Sequence, residues 1–421
     1  MSFDPGVIRA QFPALSIEDR GRPRYYFDNP AGTQVSQRVV DAMSHCLVNT
    51  NANLGGPFET SMRADQVVAD ARVAMADFLN APEADEIIFG QNMTTLTLHL
   101  SRSIGRLFKP GDEIVLTRMD HDANVHPWLL MARDFDLTVR WLPFNLETFE
   151  FDLADLDNLL SERTRLVCVG GASNLLGTLN DVAEISRRSR ASGAWTFVDA
   201  VQSAPHVASD VQEIGCDFLV CSAYKFFGPH QGILWGRREI LEQLEPYKVR
   251  PAPDELPWCF ETGTQSHEGI AGVEAAVEYF AWVGEIMATD WGEPHPGFSG
   301  RRKNVRAGID CLFDYERGLS KRLLSGLATF PHLKVHGITA TDALDRRVPT
   351  VSFTHGKLAS ETIAKLLAKQ NIFVWSGHNY AVEAARALGI YDSGGAVRVG
   401  PVHYNSMAEI EHFLDALDGI L

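Results

Sequence analysis

"DFLVCSAYKFFGPHQGILWG" occupies residues 217–236. Two apolar runs, Phe218–Cys221 and Ile233–Trp235, flank a short loop marked by Gly228, Pro229 and Gly232. Continuous apolar runs of this length, bounded by turn residues, predict strands buried on both faces. Lys225 stands in the loop just after the first run. An ammonium against buried strands is costly without a partner or a chemical task, so this lysine needs an explanation.

The same unit recurs upstream. "EIIFG" (86–90), "DEIVLT" (112–117), "LTVRWLPF" (137–144), "RLVCVGG" (165–171) and "WTFVDAV" (195–201) are strand-like. Between them, Leu96, Leu100, Ile104 and Leu107 recur at helical spacing, and "NDVAEISRRSRASG" (180–193) has a polar cap and a terminal glycine. This alternation predicts an α/β fold: a mostly parallel central sheet flanked by helices on both faces. In such sheets ligands bind beyond the carboxyl ends of the strands. Beyond "WGEPHPGFSG" (291–300), runs such as "LKVHG", "VPTVSFTHG" and "GAVRVGPVHYN" predict a smaller α+β C-terminal domain. The expected division is 1–20 as an N-terminal segment packing with the small domain, 21–290 as the large domain and 291–421 as the small one.

With 421 residues, 45% hydrophobic and 22% charged, the chain can bury a large core without staples. A net charge of −16 argues against nucleic acid and against an anionic membrane surface as partners. The six cysteines form no C-x-x-C pair, which disfavours a zinc ribbon. His121 and His126 are five apart, not the four of a zinc helix, so no metal is expected. No secretory signal and no spanning segment is visible, so the expected location is the cytoplasm.

Asp199 ends the run Trp195–Val198, and Lys225 ends a second run 26 residues later. The pair alone leaves two readings open: a structural ion pair, or the two groups that pyridoxal 5′-phosphate needs, an amine for its aldehyde and a carboxylate for its pyridinium nitrogen. Burial would lower the pKa of such a lysine. Thr94 and Thr95, at a predicted helix N-terminus, offer an anion site or ordinary capping. His121, after another strand, offers a ring to stack on a cofactor.

Nine stretches then occur in family order: "YYFDNPAGTQ", "QNMTTLTLHL", "DHDANVHPW", "ASNLLGTLNDV", "VDAVQSAPH", "CDFLVCSAYKFFGP", "GILWG", "FETGTQ" and "AVRVGPVHYN". On these the chain resembles the class V aminotransferases, fold-type I pyridoxal-phosphate enzymes, and most of all their cysteine desulfurase group. The resemblance implies that Lys225 is the Schiff-base lysine and the base at Cα, Asp199 the pyridinium partner and His121 the stacking histidine. Gln202 and Asn174 resemble contacts to the phenolic oxygen and ring, and Thr94, Thr95 and Ser222 resemble phosphate ligands. Tyr224 replaces the histidine usual before the lysine and can still offer a hydroxyl to the phosphate. Thr264, after Gly263, resembles a phosphate contact lent across a homodimer interface. Arg398 resembles the clamp on the substrate α-carboxylate, a bidentate task suited to guanidinium. Ala31, Asn53, His378 and Tyr380 fall where substrate contacts are expected.

The desulfurase pattern breaks at "VWSGHNYAVEAAR" (374–386), where Tyr380 stands in place of the loop cysteine that holds the persulfide. No cysteine follows Cys311. The expected activity is therefore that of a pyridoxal-phosphate enzyme on a small α-amino acid, cysteine desulfurase-like or a C–S lyase. Transamination or epimerisation is the alternative, with His378 and Tyr380 as proton donors. A non-catalytic pyridoxal-phosphate-binding protein is the reading from another class. A nucleotide-binding protein lacks support, since neither G-x-G-x-x-G nor G-x-x-x-x-G-K-[ST] is present.

Overall fold

The computed structural model describes residues 3–287 and 295–421. Seven strands, β1 (Ile87–Gly90), β2 (Glu113–Thr117), β3 (Thr138–Leu142), β4 (Thr164–Gly170), β5 (Trp195–Asp199), β6 (Phe218–Ser222) and β7 (Gly232–Gly236), form one sheet. Their order is β1-β7-β6-β5-β4-β2-β3. Every neighbouring pair is parallel except the two made by β7. The predicted strands all form.

The continuous apolar runs are explained by two cores. Along β4, Val167 and Val169 enter one core, while Leu166 and Cys168 enter the other. β6 repeats this, with Leu219 and Cys221 on one face and Phe218 and Val220 on the opposite face. Helices Glu59–Leu79 and His267–Met287 supply Val68, Met75, Ile270 and Val277 to the first core. Helix Met93–Gly105 supplies Leu96, Leu100 and Ile104 to the second. Each such side chain contributes about 1.5–3 kcal/mol when removed from water.

A second, four-stranded sheet is antiparallel throughout: β8 (Leu333–His336), β9 (Val351–His355), β10 (Trp375–Gly377) and β11 (Ala396–Val399), in the order β8-β9-β11-β10. Tyr25–Tyr26 pair in parallel with Ile372–Phe373, and Phe27 enters the core of this smaller sheet. The chain thus passes from Phe27 in the small sheet's core to the loop after β6, where Pro30 O and Ala31 O accept from Lys225 Nζ and Thr33 N–H donates to Tyr224 O. Near the N-terminus, Phe12 packs on Phe227, Tyr279 and Tyr404. The expected domain boundary at 290/291 lies outside the described residues.

A buried polar cluster ties these parts together. Glu316, on helix Gly300–Leu327, accepts hydrogen bonds from the rings of His206 (2.7 Å) and His403 (3.1 Å) and from the His403 backbone N–H (2.9 Å). His403 Nε2 meets the Tyr279 hydroxyl at 2.9 Å. Burial raises the Glu316 carboxyl pKa, but His206 and His403 more than reverse this and hold it at about 2. A depressed carboxylate stabilises fully above its ordinary value of 4.5 and loses that contribution as pH falls towards about 2. Glu316→Ala, which strands both histidines, is expected to cost about 3–5 kcal/mol at neutral pH. The urea midpoint measures it, and the difference from wild type is expected to shrink as pH is lowered below 4.5.

Candidate active site

Because β2, β4, β5 and β6 run in parallel, the residues that follow them share one edge of the sheet. His121 follows β2, Asn174 follows β4, Asp199 closes β5 with Gln202 just beyond, and Lys225 ends a short turn, Ala223–Lys225, after β6. Arg398 comes from β11 in the other sheet. All of these but Asp199 line a cavity of about 340 Å³, with Ala31, Tyr224, Trp375, His378 and Tyr380 also in its lining; Asp199 acts on Lys225 electrostatically from outside it.

Lys225 is buried, and its Nζ donates to the carbonyls of Pro30 (2.6 Å) and Ala31 (2.9 Å). The Tyr224 ring lies 4.8 Å from the same nitrogen. Burial, aided by the charge of Arg398, lowers the Lys225 pKa to about 7, against smaller opposing effects of Asp199 and Asp28. Asp199 is buried too. Its Oδ1 accepts from Val201 N–H at 2.9 Å, and burial raises its pKa to about 6, against that hydrogen bond and Lys225. The Gln202 amide donates to Pro30 O at 2.9 Å, which fixes the loop that holds Lys225.

His121 Nδ1 accepts from Ala123 N–H (3.0 Å), and burial lowers its pKa to about 3, with Lys225 and Arg398 adding to the shift. The ring is therefore neutral near pH 7. Tyr380 stacks on it at 5.4 Å and 16°. Arg398 Nη1 donates to Asn174 O at 2.9 Å, and burial lowers its pKa to about 10. Arg398 Nε and Asn174 Oδ1 are buried without a hydrogen-bond partner among the described residues.

Other expected site residues lie outside this lining. Ser222 Oγ accepts from Met93 N–H (3.0 Å), and Asn92 Oδ1 accepts from Thr95 N–H (2.9 Å), so both hydroxyl-bearing segments meet at the N-terminus of helix Met93–Gly105. The Thr94 N–H between them has no intrahelical partner. Gly232 permits this approach: a Cβ there would lie 2.4 Å from Asn92 C. Thr95 and Thr264 line a neighbouring hollow of about 610 Å³, and Gly263 adopts φ +71° beside it. Asn53 is exposed, its carbonyl accepting from Ser61 Oγ at 2.6 Å; within one chain it does not reach the cavity.

Two carboxyls were not singled out in the sequence. Asp120 accepts from Gly170 N–H (2.9 Å) and Asn124 Nδ2 (2.8 Å), holding the His121 loop against β4, and burial raises its pKa to about 7. Asp28 lies within range of the charges of Arg398 and Lys225; burial raises its pKa to about 6 and its Oδ1 has no partner among the described residues. Both sit inside quoted motifs, but their burial is a tertiary fact. None of the cysteines lines the cavity, and all six are buried. Among the described residues no group of three His, Cys, Asp or Glu is placed to hold a metal ion, and no helix is long and apolar enough to cross a membrane.

The family model for class-V aminotransferases matches residues 25–290 and 305–413. The chain belongs to the class-V aminotransferase family. Its similarity to curated members of that family spans essentially the whole length. It is 32% identical to the aminotransferase-like protein FGM3 of Gibberella zeae, covering 100% of this chain and 99% of the relative. It is 30% identical to a cysteine desulfurase of Serratia proteamaculans, over 100% and 99% of the two chains. An apo cysteine desulfurase of Thermococcus onnurineus superposes with a TM-score of 0.87 at 28% identity, covering 100% of this chain and 99% of that one. This class-V, desulfurase-like chain is a pyridoxal-phosphate enzyme of the fold-type I architecture. The site fits that cofactor: an amine whose neutral form is well populated near pH 7, a buried carboxylate close enough to interact with it, a neutral flat ring, and unpartnered polar atoms on Asn174 and Arg398.

Proposed function

We propose that the protein is a C–S lyase that eliminates the sulfur substituent from Cβ of a cysteine-type α-amino acid, with no cysteine of its own receiving the sulfur. The observation that carries this reading is a cavity lined by an amine and a guanidinium with no thiol, the buried Asp199 carboxylate acting electrostatically on that amine. Relatives named as cysteine desulfurases support the substrate class.

Lys225, Asp199, His121, Gln202, Asn174, Tyr224, Ser222, Thr94 and Thr95 would hold the cofactor, with Gly263 and the partner subunit's Thr264 completing the phosphate site in a homodimer. Leu47, Val48, Phe58 and Met62 are exposed apolar side chains that such a dimer could cover. Bound pyridoxal phosphate supplies an electron sink for the pair left at Cα. Asp199 offers its negative charge to the pyridine nitrogen, and neutral His121 covers the ring without competing for that charge. Arg398 takes the α-carboxylate through its free Nε edge. Lys225 Nζ, unprotonated above about pH 7, receives the Cα proton. The Cβ–S bond then breaks with its electron pair on sulfur, which is protonated to a thiol. With one water consumed, the rest leaves as pyruvate and ammonium, and no oxidant or reductant is needed.

His378 and Tyr380 stand at the cavity and would serve as proton donors in transamination or epimerisation, which makes these the second reading. A non-catalytic cofactor-binding protein is the third. Incubation with a panel of amino acids, assaying thiol or sulfide, keto acid and optical rotation, separates them. Thiol and pyruvate in equal amounts are expected. Keto acid without thiol supports transamination, loss of rotation alone supports epimerisation, and silence across the panel removes the enzymatic reading.

A further inference from the structure

The substrate's side chain meets a surface that the C–S lyase reading does not use. Trp375 on β10 lies directly opposite Arg398 on β11 in the antiparallel register. Cross-strand partners share a face, with Cβ atoms roughly 5 Å apart. An amino acid held by its carboxylate on Arg398 therefore has the Trp375 indole beside it. The indole lines the cavity yet is 53% exposed, so one side has no protein neighbour covering it.

Tyr380 lines the same cavity. Its carbonyl accepts from Asp122 N–H at 2.8 Å, and the neighbouring Asn379 carbonyl accepts from Asn174 Nδ2 at 2.6 Å. Tyr380 N–H donates to His378 Nδ1 at 3.1 Å. Asn379 and Tyr380 adopt φ +51° and +60°, a region unfavourable for side-chain-bearing residues. Three hydrogen bonds overcome that preference and fasten the tyrosine over His121, with Tyr380 66% exposed in the cavity lining. Behind it, Glu383 pairs with Arg118, anchoring the following helix to the large sheet. The cavity lining holds Arg398 and Lys225 and no Asp or Glu, so it offers no counter-charge to a cation. A cationic side chain meets repulsion there, and a side chain as small as that of cysteine leaves both aromatic faces wet.

We propose that Trp375 and Tyr380 form an aromatic clamp selecting α-amino acids with a large uncharged side chain, which in the C–S lyase reading means cysteine carrying an apolar or aromatic substituent on sulfur. The inference rests on that reading for the orientation of the carboxylate. Each aromatic contact contributes about 0.5–1.5 kcal/mol, so two are worth about fivefold to a hundredfold in affinity.

Calorimetry on the cofactor-loaded protein tests it without relying on turnover, using analogues with carbon in place of sulfur: norvaline and 2-amino-5-phenylpentanoate. The phenyl compound is expected to bind about tenfold more tightly than norvaline and to quench tryptophan emission. Trp375→Ala is expected to abolish that quench and reduce the ratio at least about threefold while leaving norvaline affinity in place, with Tyr380→Ala giving a comparable loss of preference. A wild-type ratio near one, or a preference that survives both substitutions, overturns the clamp. If norvaline binds and the phenyl compound binds no better, the clamp alone fails. If folded protein binds neither, the amino-acid site itself fails, and the clamp with it.

Discussion

Lys225→Ala protein is expected to lose about 10³-fold or more of its turnover while remaining folded. The structure separates the two effects. Among the described residues the Lys225 ammonium donates to two carbonyls, Pro30 O and Ala31 O, bonds worth about 0.5–1.5 kcal/mol each. Removing a buried cation also removes its desolvation cost, so the urea midpoint should move little. Chemistry has no such compensation, because no second lysine lines the cavity. Borohydride treatment of the cofactor-loaded wild type should fix an adduct on the peptide containing residue 225, and the variant should yield none there. The pH profile follows from the same burial. With the pKa lowered to about 7, the neutral amine grows as pH rises and saturates above that value. Activity should therefore fall tenfold per unit well below pH 7, whereas an exposed lysine would stay protonated until about pH 10. Full turnover by Lys225→Ala would remove the assignment.

Much of this was legible in the sequence because it is local. The runs Phe218–Cys221 and Leu166–Val169 are apolar at every position because each strand feeds two cores, and that pattern alone points to a sheet covered on both faces. Parallel strands then place His121, Asn174, Asp199 and Lys225 on one edge without further information. What could not be read depends on pairing between distant segments. Trp375 gives no signal in "VWSG"; it matters because β10 pairs with β11 in the register that sets it against Arg398. Asp28 and Asp120 look like ordinary loop carboxylates until burial raises their pKa values. Asn53 fell in the expected stretch, yet its loop is exposed and bonded to Ser61 rather than to the cavity. Sequence order alone does not distinguish a loop that lines its own chain's cavity from one that does not.

Arg398→Ala should raise KM for the amino acid by about 10²–10⁴-fold, with a smaller effect on turnover. The guanidinium sits on β11 between β9 and β10, buried, with Nη1 spent on Asn174 O and Nε free. Two charge-assisted hydrogen bonds to a carboxylate are worth about 1.5–3 kcal/mol each, and their loss corresponds to that range in binding. Arg398→Lys should not restore it, since an ammonium lacks the planar fork. The two variants should diverge in their pH profiles. Arg398 is, after burial, the leading cause of the lowered pKa of Lys225. Removing its charge should raise that pKa and carry the acid limb of activity to higher pH, because the neutral amine then requires a more alkaline solution. Lysine keeps the charge and should keep the limb near its original position. If alanine raises KM but leaves the acid limb in place, Arg398 binds substrate without influencing Lys225. If alanine lowers turnover at unchanged KM, the carboxylate is held elsewhere and the orientation of the substrate must be redrawn.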